Sequence, residues 1–122
     1  MGMNRSFKKE RKEKAIKETI FSYITQNIDD IDLKNITITR VKLSKDERSA
    51  KVFFATLLNQ DKQDIIKEKL EEIRIDLQNI LKRLSILRFT PKLYFEYDKE
   101  FISYMRIEDI FREIKKEERN GE

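Results

Sequence analysis

The sequence predicts a small α+β domain in which helices cover one face of a three-stranded sheet. Apolar residues recur every three or four positions in two long stretches and again near the C-terminal end, which is typical of amphipathic helices. β-Branched and aromatic residues cluster in three short runs, which is typical of strands. These segments follow one another in the order helix, strand, strand, helix, strand, helix, and the 122 residues fit one domain.

The first helix is predicted from Lys8 to about Asn27. Isoleucines from Ile16 onward recur on one face of it, and Lys and Glu fill the opposite face. The acidic segment 29–32 then ends the helix, because Asp favours turns over helix interiors. We interpret this segment as a helix-ending loop in preference to a magnesium site.

The next two strands are predicted at Ile36–Leu43 and Ser49–Leu57. Both are rich in β-branched and aromatic residues. Between them, Ser44–Glu47 supplies turn-forming side chains without a glycine. The two strands are therefore expected to form a β-hairpin.

A long helix is predicted from about Asp64, with full termination only near Ser85 to Thr90, forced by Pro91. Its apolar residues are spaced alternately four and three apart, which gives a heptad-like stripe. Such a stripe is typical either of a helix packed on a sheet or of a dimeric coiled coil. Three heptads inside a mixed α/β chain favour packing. The stripe consists of Ile66, Leu70, Ile73, Leu77, Ile80, Leu84 and Leu87.

The third strand is predicted at Lys92–Tyr97, with Leu93 and Phe95 on one face and Tyr94 on the other. A short final helix follows, and a charged tail at residues 115–122 ends the chain. The apolar residues that mark the final helix are Ile107, Ile110, Phe111 and Ile114.

The composition excludes several kinds of chemistry. The chain has no Cys and no His, which removes disulfides, Cys/His zinc sites and imidazole catalysis. Its 23 carboxylates lie mostly among Lys and Arg, without a paired acid–base cluster. We expect no enzyme activity and no cofactor. No apolar run approaches the ~18 residues of a membrane span, so we expect a cytoplasmic protein without a membrane partner.

The net charge of +4 is unevenly distributed. Residues 1–14 carry six bases and two acids, a net of +4, whereas residues 92–122 carry seven bases and nine acids, a net of −2. Dense bases bind phosphate backbones because each contact releases counterions. The N-terminal arm therefore suggests a polyanionic partner, and a solvated terminus is the alternative.

Three motifs, in order along the chain, resemble the ribosome-binding factor A family. The hairpin carries Ser44–Asp46 and then Ala50–Val52, at the spacing of the family's signature. The stretch LRFTPKLYFEYD at Leu87–Asp98 is similar to a second family motif, and Arg106-Ile107 is similar to its closing helix. The resemblance extends from about Phe7 to Ile114.

The resemblance implies a type II KH-like fold. It also implies a factor that binds the immature small ribosomal subunit and assists late maturation of its ribosomal RNA, especially in the cold. The family usually breaks its long helix with a small residue, a variable position and a glycine, but this chain has Ile73-Arg74-Ile75 there. We therefore expect at most a shallow bend without a positive φ, and RNA contact through side chains in place of a glycine-rich clamp.

Two functions compete at this point. The first is an RNA-binding assembly factor that acts as a monomer on the small ribosomal subunit. The second is a protein-interaction module that dimerises through the stripe from Ile66 to Leu87. Tyr94 and Tyr104 are candidates for stacking on bases. The candidate RNA-binding residues are Arg5, Lys8, Lys9, Arg11 and Lys12 in the arm, Lys45 and Arg48 at the hairpin turn, and Lys82, Arg83 and Arg88 near the end of the long helix.

Overall fold

The computed structural model describes residues 2–56 and 60–120, and the side chains of residues 7–56 and 61–118. Its elements confirm the predicted fold class and the predicted order of helices and strands, with one short helix added. In chain order they are α1 (Gly2–Asn27), α2 (Ile31–Lys34), β1 (Ile36–Leu43), β2 (Ser49–Thr56), a 3₁₀ turn (Gln60–Lys62), α3 (Gln63–Glu72), α4 (Arg74–Leu81), β3 (Lys92–Tyr97) and α5 (Lys99–Asn120).

The sheet has the order β1-β2-β3, with β2 in the centre. β1 is antiparallel to β2, with Leu43 opposite Ala50, and β3 is parallel to β2, with Phe54 opposite Tyr97. A parallel pair requires a crossover connection, which α3 and α4 supply. The core lies between the inner face of the sheet and α1, α3 and α4.

The long helix, which was predicted to be nearly continuous with at most a shallow bend, is interrupted at Ile73, where α3 ends and α4 begins. α3 contacts β3, whereas α4 contacts α1 as well as β3. The two halves of the stripe therefore pack against different sets of neighbours.

The interruption needs no glycine. Ile73 has φ −98° and ψ 6°, in the sparsely populated region between helix and strand, which confirms the predicted absence of a positive φ here. The backbone N–H of Leu77 still donates to the Ile73 carbonyl at 3.0 Å. A β-branched residue can therefore occupy the junction between α3 and α4.

The end of α4 also lies earlier than predicted, at Leu81 instead of Ser85 to Thr90. Three-residue turns replace the helix beyond that point: Arg83 N donates to the Ile80 carbonyl at 3.1 Å and Leu84 N to the Leu81 carbonyl at 3.0 Å. These turns bring Leu84 and Leu87 against the core. Packing, and not Pro91, ends the helix.

The apolar stripe faces the core except at Ile80, which is half-buried and lines a surface groove with Tyr23 and Arg83. Ile66, Leu70 and Leu77 are each at most 1% exposed, and Ile73 and Leu84 pack against the same cluster. These side chains are therefore unavailable for a coiled coil. The burial rules out dimerisation through the stripe.

The final helix is longer than predicted, because α5 continues to Asn120 without a glycine or proline to stop it. Ile102 is buried and α5 contacts β2. The apolar residues that predicted the helix are largely exposed, with Phe111 at 58% and Ile107 at 52%. They therefore do not form part of the core.

The acidic segment after α1 is structural. Asp30 caps α2 by accepting the backbone N–H groups of Asp32 and Leu33 at 2.9 and 3.2 Å. Lys69 Nζ on α3 lies 2.8 Å from Asp30 Oδ2 and 3.0 Å from Asp32 Oδ2. The hydrogen bonds to Lys69 lower the pKa of both carboxyl groups below the ordinary 3.8. Since the folded-state pKa is lowered, the stabilisation is present above the unfolded-state value and is lost as the pH falls through the folded-state value.

Candidate nucleic-acid interface

Five of the predicted basic residues meet in one groove at the end of the sheet that bears the hairpin turn. The groove has a volume of about 500 Å³. We call it the basic groove. It is lined by Lys8, Lys9 and Lys12 of α1, Lys45 and Glu47 of the hairpin turn, and Arg88 of the segment before β3.

Packing of α1 against β1 positions the first wall of the groove. The backbone N–H of Leu43, at the end of β1, donates to Glu13 Oε2 at 2.7 Å. One residue earlier on α1, Lys12 Nζ lies 2.6 Å from Glu47 Oε1, and the two side chains are only 18% and 21% exposed. These contacts hold the basic half of α1 beside the hairpin turn.

The family-like Ser-Lys-Asp motif shapes the second wall. The Ser44 hydroxyl donates to Asp46 Oδ1 at 2.8 Å, and the backbone N–H of Arg48 donates to the same oxygen at 3.1 Å. These hydrogen bonds, that of Ser44 above all, lower the pKa of Asp46 below 3.8, so the carboxylate stays charged and holds the turn. Lys45 and Arg48 remain exposed on either side.

Glu47 is the anionic exception in this basic groove. Among the described residues it is the only non-glycine residue with a positive φ, at 62°. That conformation is unfavourable for a residue with a Cβ atom. The turn holds it in place, since Glu47 N donates to the Ser44 carbonyl at 3.0 Å and Ser44 N to the Ser49 carbonyl at 2.8 Å.

Phe89 connects the hairpin turn to the segment before β3, and the sequence patterns did not single it out. The Arg48 guanidinium carbon lies 4.6 Å from its ring centroid, and that of Arg88 lies 5.9 Å away. Such contacts are favourable through the ring quadrupole. The Arg88-Phe89 pair beside Pro91 is visible in the sequence. Its contact with Arg48 could not be predicted from the sequence, because Arg48 lies far away along the chain.

The other predicted basic residues do not line the basic groove. Arg11 is exposed on α1, and the side chain of Arg5 lies outside the described residues. Lys82 is exposed at the end of α4, and Arg83 lines a separate groove with Tyr23. Tyr23 lies 11 residues beyond Lys12, which is about 16 Å along a helix. The structure thus separates Arg83 from Arg88 and the basic groove.

A second groove, of about 540 Å³, lies at the junction of α3 and α4. Arg48, Arg74 and Lys92 contribute its bases, and Arg74 forms an ion pair with Glu71. Arg48 belongs to the hairpin turn and also lines this groove. Basic side chains therefore continue from the basic groove towards the start of β3.

Two further findings limit the chemistry of these sites. Within residues 2–56 and 60–120, no three carboxylates come together in a way that would hold a metal ion. Over the same residues, every helix is too short or too polar to serve as a membrane-spanning segment. The grooves are suited to binding phosphate groups through ammonium and guanidinium side chains.

The fold and the basic groove together define a small KH-like domain with a surface suited to phosphate backbones. A family model described as ribosome-binding factor A matches residues 8–111. The chain belongs to the ribosome-binding factor A family.

Relatives and solved structures support this assignment. Ribosome-binding factor A of Coprothermobacter proteolyticus is 30% identical over 91% of this chain and 80% of its own length. The factor of Buchnera aphidicola is 36% identical over 85% of this chain and 92% of its own length. The crystal structure of the Thermus thermophilus factor covers 73% of this chain and 94% of its own, with 25% identity and a TM-score of 0.64. Coordinates of the Thermus factor fitted into a cryo-electron-microscopy map of its 30S complex match with a TM-score of 0.58 and 25% identity. This match covers 73% of this chain and 93% of the Thermus chain.

Proposed function

We propose that this chain is an assembly factor that binds the free small ribosomal subunit and assists late maturation of its ribosomal RNA, especially in the cold. The observation that carries the proposal is the basic groove, which gathers bases from α1, the hairpin turn and the segment before β3. The Thermus relative fitted in a 30S complex supports the choice of partner.

The basic groove would contact RNA phosphates through side chains. Each phosphate that is neutralised releases counterions and contributes about 0.7 to 0.9 to the slope of log K against log salt concentration. The junction at Ile73 has no glycine, so close backbone approach of the kind made by a glycine-rich clamp is not available there. Recognition would depend on Lys and Arg, and hence strongly on salt.

The mode of action would be binding without covalent chemistry. A protein that binds one conformation of a folding RNA shifts the population towards that conformation. We propose that the chain does this as a cytoplasmic monomer and a single domain over residues 1–122, with the arm at residues 1–14 contributing to the groove.

Co-sedimentation tests the class of partner. Pelleting of the chain with free small subunits but not with assembled ribosomes is expected. Equal binding to both, or to neither, would contradict the proposal.

A variant with four alanines in the basic groove tests the site. It should remain folded, because exposed substitutions usually change stability by only ~0.5 kcal/mol each, and should bind the free subunit more weakly with a shallower salt slope. A control variant removes four exposed bases elsewhere and has the same change in net charge. Equal weakening in both would assign binding to net charge alone. The groove variant carries Lys8→Ala, Lys9→Ala, Lys45→Ala and Arg88→Ala, and the control carries Lys67→Ala, Arg112→Ala, Lys115→Ala and Lys116→Ala.

A further inference from the structure

The outer face of the sheet, which points away from α1, α3 and α4, carries a basic patch outside the basic groove. Lys42 lies opposite Lys51 in the β1–β2 pair, and Lys51 lies opposite Tyr94 in the β2–β3 pair. These three side chains form one row across the sheet. Lys92 precedes Tyr94 by two residues and shares its face. All four side chains are exposed, and we call them the outer-face patch.

Contacts within the chain explain only part of this arrangement, in which Lys51 Nζ lies 5.9 Å from the Phe53 ring centroid. Like charges directly opposite each other on neighbouring strands are unfavourable. Lys42 makes no ion pair with the described residues. Lys51 pairs with Glu96 at 3.3 Å, but these side chains are 52% and 51% exposed, and such exposed pairs are weak and readily exchanged. A bound polyanion would relieve the repulsion between the two lysines.

Tyr94 supplies the aromatic surface. It is 48% exposed, so packing accounts for only part of its ring. Lys92 Nζ lies 5.5 Å from the ring centroid. Unpaired bases stack on aromatic rings while neighbouring ammonium groups contact their phosphates. Because adjacent strands lie about 4.8 Å apart, the row extends about 10 Å from Tyr94 to Lys42.

The two ends of the patch differ. At the α5 end, Arg40 covers the Phe53 ring at 4.0 Å and pairs with Asp98 at 3.5 Å and Glu100 at 3.7 Å, so its charge is already balanced. At the other end, Lys92 lines the groove that also contains Arg48, and its backbone N–H donates to the Arg48 carbonyl at 2.9 Å. The patch is therefore open towards the basic side chains at the hairpin turn.

We propose that the outer-face patch binds a single-stranded segment of RNA, with Tyr94 stacking on one base and the three lysines contacting phosphates. Paired bases are already stacked within a duplex and cannot reach the ring, so the patch would select unpaired RNA. The inference rests on the proposed function, because the strand would extend from RNA that is held in the basic groove.

The test measures binding of the intact chain to a labelled single strand of about eight nucleotides, and to a blunt-ended RNA duplex, by fluorescence anisotropy. Tyr94→Ala should weaken binding to the single strand on the order of 5- to 100-fold, and Tyr94→Phe should retain most of it. Phe111→Ala, which removes a 58% exposed aromatic ring from α5, is the matched control and should bind as the parent does. Binding to the duplex should be insensitive to Tyr94→Ala.

The lysines are tested in a second variant, Lys42→Gln with Lys51→Gln, in which the salt slope should fall by about 0.7 for each phosphate that is no longer neutralised. If Tyr94→Ala binds the single strand as tightly as the parent, the proposal that the outer-face patch binds RNA is refuted. It is also refuted if the parent binds the subunit but not the single strand. Either result leaves the proposed function standing. A parent that binds neither the strand nor the subunit would remove both.

Discussion

Replacement of Glu47 by glutamine should strengthen RNA binding, because this carboxylate occupies a position that a phosphate would take. Its Oε1 atom lies 2.6 Å from Lys12 Nζ inside a groove whose other lining residues are all basic. Glutamine keeps the size of the side chain and removes the charge. The substitution would free Lys12 for RNA and remove a repulsive charge in one step.

The structure bounds the size of this effect. Two unit charges 4 Å apart interact by about 1 kcal/mol in water and about 4 kcal/mol near a protein surface. The groove is open to solvent, so we take the lower end, which corresponds to roughly 5- to 10-fold tighter binding at low salt. One extra phosphate contact, made by Lys12, should steepen the salt slope by about 0.7 to 0.9. Loss of the ion pair with Lys12 should lower the free energy of unfolding by about 1 kcal/mol.

The assay is a titration of free small subunits at several salt concentrations. Glu68→Gln is the control, because it removes an exposed carboxylate from α3 with the same change in net charge. Equal tightening by both variants would attribute the effect to long-range charge. Weaker binding by Glu47→Gln would refute the reasoning, since it would mean that Glu47 holds Lys12 in its binding position.

The remaining predictions concern stability. Leu77 is 1% exposed, so Leu77→Ala should lower the free energy of unfolding by about 2–5 kcal/mol. Ile75→Ala, at a position on the same helix that is 67% exposed, should leave the denaturation midpoint almost unchanged, and equal losses would contradict the assigned core. Lys69→Met should be most destabilising near neutral pH, and the deficit should shrink as the pH falls through the lowered pKa of Asp30, since a protonated carboxyl has no ion pair to lose. Lys67→Met on the exposed side of α3 is the control, and a deficit that stays constant in acid would refute the ion-pair explanation.

Elements with strong local signals could be predicted from the sequence. The β-branched runs and the turn at Ser44–Glu47 specify the hairpin, because strand alternation and turn chemistry act over a few residues. The same holds for β3 after Pro91, whose Leu93 and Phe95 face the core while Tyr94 faces outward. The stripe from Ile66 also identified most of the buried face, although Leu81 is buried where the stripe predicted Ile80.

Where the long helix breaks could not be predicted from its periodicity. A uniform stripe is compatible with a straight helix, and Ile73 carries no local breaking signal. The break accompanies a change of packing partners, since α3 contacts β3 whereas α4 also contacts α1. Likewise, the apolar periodicity of α5 predicted a helix, but it could not predict that the apolar face of this helix would be exposed.

The sequence alone determined the fold class, the family resemblance and the set of candidate bases, because each depends on residue types and spacings along the chain. Only the tertiary structure decided which bases act together. In the tertiary structure Lys8, Lys45 and Arg88 line one groove together with Glu47, whereas Arg83 lines a groove on another surface. The physical reason is that these residues come from separate segments, whose distances depend on the packing of α1 on β1 and the parallel pairing of β3 with β2.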